Sequence, residues 1–542
     1  MFLCNFKTNS LLFAVTATSV LLITFMGRPV STANILFYGI VGSYSQRIST
    51  WPLIEALADK GHNVTYISSY DAKDPNPKIY DYAPKKWKEA MGSWEDQMSF
   101  FEVRKNKQMI SMWFDIPSLG LLACDSLYSD PEFMNWVNSS SFDLIVVDAL
   151  MNECAYGLVH MYKSKTIIFA TSTPMGWYYA FGFPDETASI TECMFDFPAG
   201  KDMSFVQRFI NGMSPIVWQI FREYWYFPKL EEITRNGLGL SKEELPSFSE
   251  IERSANLVML TSHYSLDYAR SLPPNVINVG GITALGKTKP LSKNFEDFIN
   301  KGKEGFIYIS FGTVAEFVNF DKSIQEEFIK SLWSFPNIQF IWKSTFDVDA
   351  ELPNHVLMTK WAPQQSLLAH PKIRAFITHS GMGSTVEALQ YAVPLISFPV
   401  LAEQDFNAHQ VASRNAGIML EILTLKQEEL EHAISEILGN EKYRNAMKQL
   451  SSIFKDRPVS ALENAVWWTE YILRHPDSNE FLRSPSIQQS WWVKRQVDVW
   501  LFAVVLLILL PSLLVYIIYK ACKICIYLIG SITRVDKKNK LL

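Results

Sequence analysis

Short apolar runs alternate with longer amphipathic stretches along this chain, and they do so twice. In the first half, NILFYGI (34–40) predicts a strand, TWPLIEALADKGH (50–62) a helix ended by Gly61, and NVTYISS (63–69) a second strand. The pattern resumes with FDLIVVDAL (142–150) as a strand, ECAYGLVHMYK (153–163) as a helix and KTIIFAT (165–171) as a strand. Residues 270–282, with Pro-Pro and Gly-Gly, read as a connection. Beyond it the alternation restarts. GFIYISFG (305–312), IQFIWKS (338–344), HVLMTKW (355–361), IRAFITH (373–379) and PLISFP (394–399) predict strands. Between and after them SIQEEFIKSLW (323–333), QQSLLAH (364–370), GSTVEALQYA (383–392) and QDFNAHQVASR (404–414) predict helices.

Continuously apolar strands separated by helices imply parallel sheets covered on both faces. At 542 residues the chain exceeds what one core sustains, roughly 250–300 residues. The expected fold class is therefore α/β, two Rossmann-like domains facing a cleft, with ligands beyond the carboxyl ends of the strands. Segments 86–136 and 174–255 are rich in Trp, Tyr, Phe and Met. Most of these side chains are expected in helix cores, and a minority lining an apolar pocket would suit a lipophilic ligand.

Composition adds a membrane. Leu11–Phe25, behind Lys7 and ahead of Ser31-Thr32-Ala33, reads as a cleavable signal peptide (1–33). Val499–Tyr519 is long enough to span a bilayer, which takes ~20 residues. Trp491, Trp492 and Trp500 suit an interfacial belt, and the basic residues from Lys520 to Lys540 mark the cytoplasmic side. The expectation is a single-pass type I protein of the endoplasmic reticulum membrane with its body in the lumen. The last residues, Lys538-Asn539-Lys540-Leu541-Leu542, resemble a K-x-K-x-x retrieval signal, or are simply a basic tail. Asn63-Val-Thr65 and Asn138-Ser-Ser140 are glycosylation candidates, although Asn63 opens a strand expected to be buried. Lumenal Cys124, Cys154 and Cys193 allow at most one intramolecular bridge, with one thiol over. A net charge of −5 gives a nucleic-acid partner no electrostatic support.

The chemistry gathers at the strand ends of the second half. His379 closes an apolar strand, and the small residues Ser380, Gly381, Gly383 and Ser384 lead into a helix. A helix N-terminus behind small residues suits an anion, and a histidine beside it can donate to phosphate. Ser384-Thr-Val-Glu387 also fits S-x-x-E, so a capping box accounts for the same stretch. Ser310 and Thr313 repeat the strand-to-turn logic, Trp361 and Gln364 bring an aromatic plate and an amide, and Glu403 and Gln404 suit sugar hydroxyls. That inventory fits a nucleotide diphosphate sugar.

The ordered set W-A-P-Q (361–364), T-H-S-G (378–381), E-A (387–388), VPLISFPV and E-Q (403–404) resembles the signature of the membrane-bound UDP-glycosyltransferases, the UDP-glucuronosyltransferase family. PLIEALADKGHNV, SLPPNVINVGGI, ISFGT and the C-terminal anchor extend the resemblance over nearly the whole chain. It implies a GT-B fold with an acceptor domain at 34–283 and a UDP-sugar domain at 284–455. Return helices and a membrane-proximal segment at 456–498, a span at 499–519 and a tail at 520–542 would follow. It implies inverting transfer from a UDP-hexose to a small lipophilic acceptor, with no metal and no cofactor besides the co-substrate. By the same resemblance Trp361 stacks on uracil, Gln364 and Glu387 hold the nucleoside, Ser310 and His379 meet the diphosphate, and Glu403 and Gln404 meet the sugar. Asp347-Val-Asp349 has the spacing of a metal-holding D-x-D but falls in a loop between strands.

One departure matters. The family's base is a histidine in the loop after the first strand, oriented by an aspartate at a later strand end. Asp148 is present, but Gln46 stands at the histidine's position. An amide takes no proton, and general-base help is worth roughly 10²–10⁴-fold. Three readings follow: a transferase limited to amines or acidic nucleophiles, a transferase with Asp148 as base, or a pseudoenzyme that binds UDP-sugar or lipophile. Glucose is preferred over glucuronate as donor, because Glu403 offers a sugar carboxylate no cation.

Overall fold

Every strand of the computed structural model runs parallel to its neighbours, in two sheets. The structure describes residues 32–539 except 73–74, 96–99, 172–179, 196, 285, 287, 313–316 and 402. The signal-peptide stretch up to residue 31, Thr313 and the last three residues lie outside these.

The first sheet contains β1 (Asn34–Gly39), β2 (Asn63–Ser68), β3 (Ile79–Tyr82), β4 (Leu144–Asp148), β5 (Lys165–Ala170), β6 (Leu257–Leu260) and β7 (Val276–Asn278). Their order is β3-β2-β1-β4-β5-β6-β7. Order reverses between β2-β1 and β4-β5, which opens a crevice above β1 and β4. Alternate residues serve opposite cores: Leu36, Tyr38, Ile145 and Val147 join one, Ile35, Phe37, Leu144 and Val146 the other. The segment 270–282 is more than a connection, since Val276–Asn278 pairs with β6 as the edge strand. Five helices matter below: α1 (Tyr44–Asp59), α2 (Phe100–Lys105), α3 (Met109–Tyr128), α4 (Ala155–Tyr162) and α5 (Phe205–Phe221). Helix α1 begins six residues before the expected Thr50, so Gln46 sits in its first turn and not in a loop.

The second sheet has β8 (Phe306–Ser310), β9 (Gln339–Lys343), β10 (Val356–Thr359), β11 (Ile373–Thr378), β12 (Leu395–Ser397) and β13 (Gly417–Met419), ordered β10-β9-β8-β11-β12-β13. Ile307 and Ile309 face one core, Phe306 and Tyr308 the other. Its working helices are α6 (Gln364–Leu368), α7 (Met382–Gln390) and α8 (Gln404–Ser413). The lobes exchange contacts. Phe101 of α2 is buried in the second lobe's core, its ring 4.9 Å from Phe320. In return α9 (Ala461–Arg474) packs Ala461, Ala465, Val466 and Ile472 into the first lobe's core.

Residues 485–542 form a separate unit dominated by α10 (Val497–Asn539). Its apolar part, Val497–Ile532, is 36 residues long and contains Pro511 without a break. At 1.5 Å per residue that is about 54 Å, more than a hydrocarbon core needs. Cys124 and Cys154 form a disulfide, and Cys193 is a buried free thiol. Asn138 is exposed on a short helix. Asn63, expected to be buried, is exposed at the start of β2 and donates to Asn34 Oδ1 at 2.9 Å.

Candidate active site

The strand ends of the second sheet bring the expected groups together. β8 ends at buried Ser310, whose hydroxyl accepts the Gly312 N–H at 3.3 Å. Gly312 has φ +83, and a Cβ there would come within 2.6 Å of His379 Cε1. A Cβ on Gly381 would come within 2.6 Å of His379 Nε2. The imidazole at the end of β11 is thus clasped between two glycine backbones, which is why small residues surround it. Burial, with the charge of Lys343 adding to it, pushes the His379 pKa down to about 4, against a hydrogen bond to the Ser310 backbone. The ring is neutral at pH 7. Lys343 donates to the Gly312 carbonyl at 2.6 Å and steadies the turn.

The capping-box reading of Ser384 and Glu387 is overturned. Helix α7 starts at Met382 with Gly381 at its N-cap, so both residues lie inside the helix. Glu387 accepts from Gln364 Nε2 at 2.6 Å and from Gln365 Nε2 at 2.9 Å, and Ser384 Oγ accepts from Gln364 Nε2 at 3.2 Å. Burial lifts the Glu387 carboxyl to about 6, opposed by those two amides. Trp361, just past β10 and ahead of α6, is 55% exposed. Glu403, at the N-cap of α8, accepts the Met382 N–H, while burial raises its pKa. Gln404 Oε1 takes the Val400 and Leu401 N–H groups at 2.8 and 2.9 Å, so only its NH₂ is left to offer a ligand. Asp347 and Asp349 sit in the turn after β9, and Asp349 pairs with Lys322 at 4.0 Å.

At the first sheet, β4 delivers Asp148 to the same end. The carboxylate is 6% exposed, and its Oδ1 accepts the Leu150 N–H at 2.9 Å and Gln46 Nε2 at 3.5 Å. Burial pushes its pKa up to about 7, the Leu150 N–H opposing. Gln46 is held at both ends. Its Oε1 accepts the Ser43 N–H at 2.6 Å, and its Nε2 also reaches Thr171 Oγ1 at 3.3 Å.

Two charged assemblies escaped the sequence reading. Behind Asp148 a small cavity is lined also by Glu153, Tyr156, Phe181 and Glu252. Buried Arg222 joins the two glutamates there, donating to Glu153 at 2.8 Å and Glu252 at 2.6 Å. Between lobes, Arg104 of α2 donates to Asp405 at 2.9 and 3.0 Å and to Glu421 at 2.7 and 3.1 Å. Charges inside the aromatic-rich stretches were the available signal.

A family model described as UDP-glucoronosyl and UDP-glucosyl transferase matches residues 40–538. UDP-glucosyltransferase 2 of Dactylopius coccus is 26% identical over 492 residues, 90% of this chain and 92% of that protein. UDP-glucuronosyltransferase 1-2 of Rattus norvegicus is 30% identical over 447 residues, 82% of this chain and 79% of the relative. Among solved structures, Phytolacca americana UGT2 complexed with UDP-2fluoro-glucose and pterostilbene superposes with a TM-score of 0.53 at 15% identity, over 81% of this chain and 99% of that one. CalG4, the calicheamicin glycosyltransferase, gives 0.52 at 15% identity over 82% and 99%. The paired parallel sheets are those of the GT-B fold.

Proposed function

The chain belongs to the UDP-glucoronosyl and UDP-glucosyl transferase family, and from that premise we propose that it transfers glucose from UDP-glucose to a small lipophilic acceptor, with inversion, using Asp148 as base. A nucleophilic oxygen or nitrogen of the acceptor attacks the anomeric carbon from the face opposite UDP. The bond from that carbon to the diphosphate oxygen breaks, the electron pair leaves with UDP, and the acceptor's proton passes to Asp148. The observation that carries the base assignment is the Asp148 carboxylate, 3.5 Å from Gln46 Nε2 and poised at about 7 by burial. A base near the working pH combines the ionised form with useful driving force.

The donor side is supported by the groups at four strand ends. Neutral His379 donates to the diphosphate, beside the N–H groups that open α7. Exposed Trp361 stacks on uracil, and Ser310 joins the phosphate contacts. The Gln364–Glu387 pair receives ribose hydroxyls, since a carboxylate accepting two amides has further lone pairs to offer. Glu403 and the Gln404 NH₂ take the hexose hydroxyls. A glucuronate carboxylate beside Glu403 would meet a like charge, which favours glucose. Residues 34–283 would then form the acceptor domain and 284–455 the donor domain.

We place the body in the endoplasmic-reticulum lumen, with residues 499–519 as anchor. In support, the Cys124–Cys154 bridge needs an oxidising compartment, and Asn138 is exposed for a glycan. One observation favours a second reading, a UDP-sugar-binding protein without turnover: Gln46 ties both ends of its amide to protein groups and cannot take a proton. The two separate on UDP release by the purified full chain, given UDP-glucose or UDP-glucuronate with panels of amines and phenols. Turnover with UDP-glucose supports the transferase. UDP binding with no release on any acceptor overturns it in favour of the second reading.

A further inference from the structure

Two carboxylates share one guanidinium behind Asp148. A turn of π-helix, Arg222–Tyr226, continues α5 and buries both Arg222 and Tyr226. Such turns recur at functional sites. Arg222 donates to Glu252 with both arms, at 2.6 and 3.2 Å, and to Glu153 with one, at 2.8 Å. Tyr156 of α4 donates to Glu252 at 3.2 Å, and Tyr226 to Glu153 at 3.1 Å. Gly120 of α3 makes room for that last bond, because a Cβ there would collide with the Tyr226 hydroxyl. Two carboxylates against one guanidinium leave a negative charge uncompensated. A buried unbalanced charge is costly, so the cluster favours taking up one proton. Glu153 is the place for it, since Glu252 holds both arms of the guanidinium. Burial pushes the Glu153 carboxyl above its ordinary range, with Arg222 opposing and Glu252 adding to the push. The other titratable groups around it are phenols that burial holds neutral: Tyr156, Tyr226 and, near Tyr226, Tyr38.

The cavity behind Asp148 is bordered by the base and by both glutamates. Its free volume of about 10 Å³ is room for one water and not for an acceptor. Asp148, Glu153, Tyr156 and Glu252 on its wall offer the about two to four hydrogen bonds that a buried water needs. We propose that Glu153 clears the base, a water in this cavity carrying the proton from Asp148 to Glu153 before the products leave. The inference rests on the reading of Asp148 as base. Asp148 gives its proton to the water oxygen, and the water gives one of its own to a Glu153 oxygen. At each step one O–H bond breaks and one forms, the water is restored, and no electron changes hands. With the proton one step back, the carboxyl that drew it off cannot return it to the newly glycosylated atom. Once the products have left, the proton goes back by the same path to Asp148 and out to solvent.

Both carboxylates must then be ionised for a turnover, Asp148 to take the proton and Glu153 to receive it. The test is the pH dependence of kcat in the full chain, with UDP-glucose and an acceptor that does not itself titrate in the range scanned. On the acid side, log kcat is expected to fall with a slope of about 2 in wild type. Glu153→Gln keeps the shape but takes no proton. It is expected to lower kcat about tenfold and to reduce the slope to about 1. Glu153→Asp, shorter but ionisable, is expected to restore the slope of about 2, whereas a merely structural role would favour Gln over Asp. A wild-type slope of about 1, or a Glu153→Gln variant with wild-type kcat and slope, overturns the proposal. If Glu153→Gln loses its heat of UDP binding, wild type and Glu153→Asp decide, and a slope of about 1 in either overturns it. Asp148→Asn separates the failures. If that variant is slow and Glu153→Gln is not, the relay alone fails. If it is as fast as wild type, the base reading fails and takes the relay with it.

Discussion

Gln46 Nε2 and Asp148 Oδ1 lie 3.5 Å apart, joining the first turn of α1 to the end of β4 at the place where the family resemblance puts a His–Asp pair. The amide can orient the carboxylate but cannot relieve it of a proton. If Asp148 is the base, Asp148→Asn should lower kcat roughly 10²–10⁴-fold with UDP binding retained. Gln46→His should extend activity toward plain alcohols. Asp148 must be ionised to act, so wild-type kcat/KM should rise with pH through about 7. Initial rates across pH check this. An unchanged rate in Asp148→Asn contradicts the assignment.

The same burial has a thermodynamic consequence. Asp148 has its folded pKa raised from 3.8 to about 7, so the folded state binds that proton more readily than the unfolded chain. Its contribution is favourable below pH 3.8 and is lost as pH rises to about 7. At about 1.36 kcal/mol per pKa unit the loss amounts to ~4 kcal/mol. Asp148→Asn abolishes this dependence. The variant should therefore gain stability relative to wild type between pH 4 and pH 8, as read by urea unfolding.

Glu387 takes one amide from Gln364 and one from Gln365, whose second acceptors are Ser384 Oγ at 3.2 Å and the Thr283 carbonyl at 2.9 Å. Glu387→Ala should cost about 1.5–3 kcal/mol, because the Gln364 and Gln365 amides lose their hydrogen bonds to a carboxylate and keep only Ser384 Oγ and the Thr283 carbonyl. It should also weaken UDP binding more than it slows the chemical step. Thermal unfolding together with UDP titration separates the two effects.

Arg104 clamps α2 of one lobe to Asp405 and Glu421 of the other, and Asp405 adjoins Gln404. Loosening the clamp should displace the start of α8. Arg104→Met is expected to raise KM for the sugar donor by roughly tenfold, ~1.4 kcal/mol, with kcat little altered. Steady-state kinetics over donor concentration decides.

Much of the fold was legible because buried parallel strands are continuously apolar and the helices between them keep their period. Several of the shortest strands, β3, β6, β7 and β13, were not: β7 has three residues between Pro-Pro and Gly-Gly, too few to register a pattern. Local spacing misled at Ser384 and Glu387, where S-x-x-E matched a cap. Tertiary partners, Gln364 and Gln365, claim the glutamate instead. The start of α1 was readable and passed over, since Ser43-x-x-Gln46 is itself a capping signature and the glutamine oxygen meets the Ser43 N–H. The Arg222 cluster and the Arg104 clamp join residues 30 to 317 positions apart, which no periodicity reports.

The central claim is that a UDP-sugar lies across the strand ends of the second sheet, with uracil on Trp361, the ribose at Gln364 and Glu387, and the diphosphate at the start of α7 beside His379. Calorimetric titration of the full chain with UDP tests it most directly. A saturable heat is expected in wild type, abolished or weakened at least about tenfold, ~1.4 kcal/mol, by Trp361→Ala and by His379→Ala. No heat at millimolar UDP, or a heat unchanged by both substitutions, would contradict it.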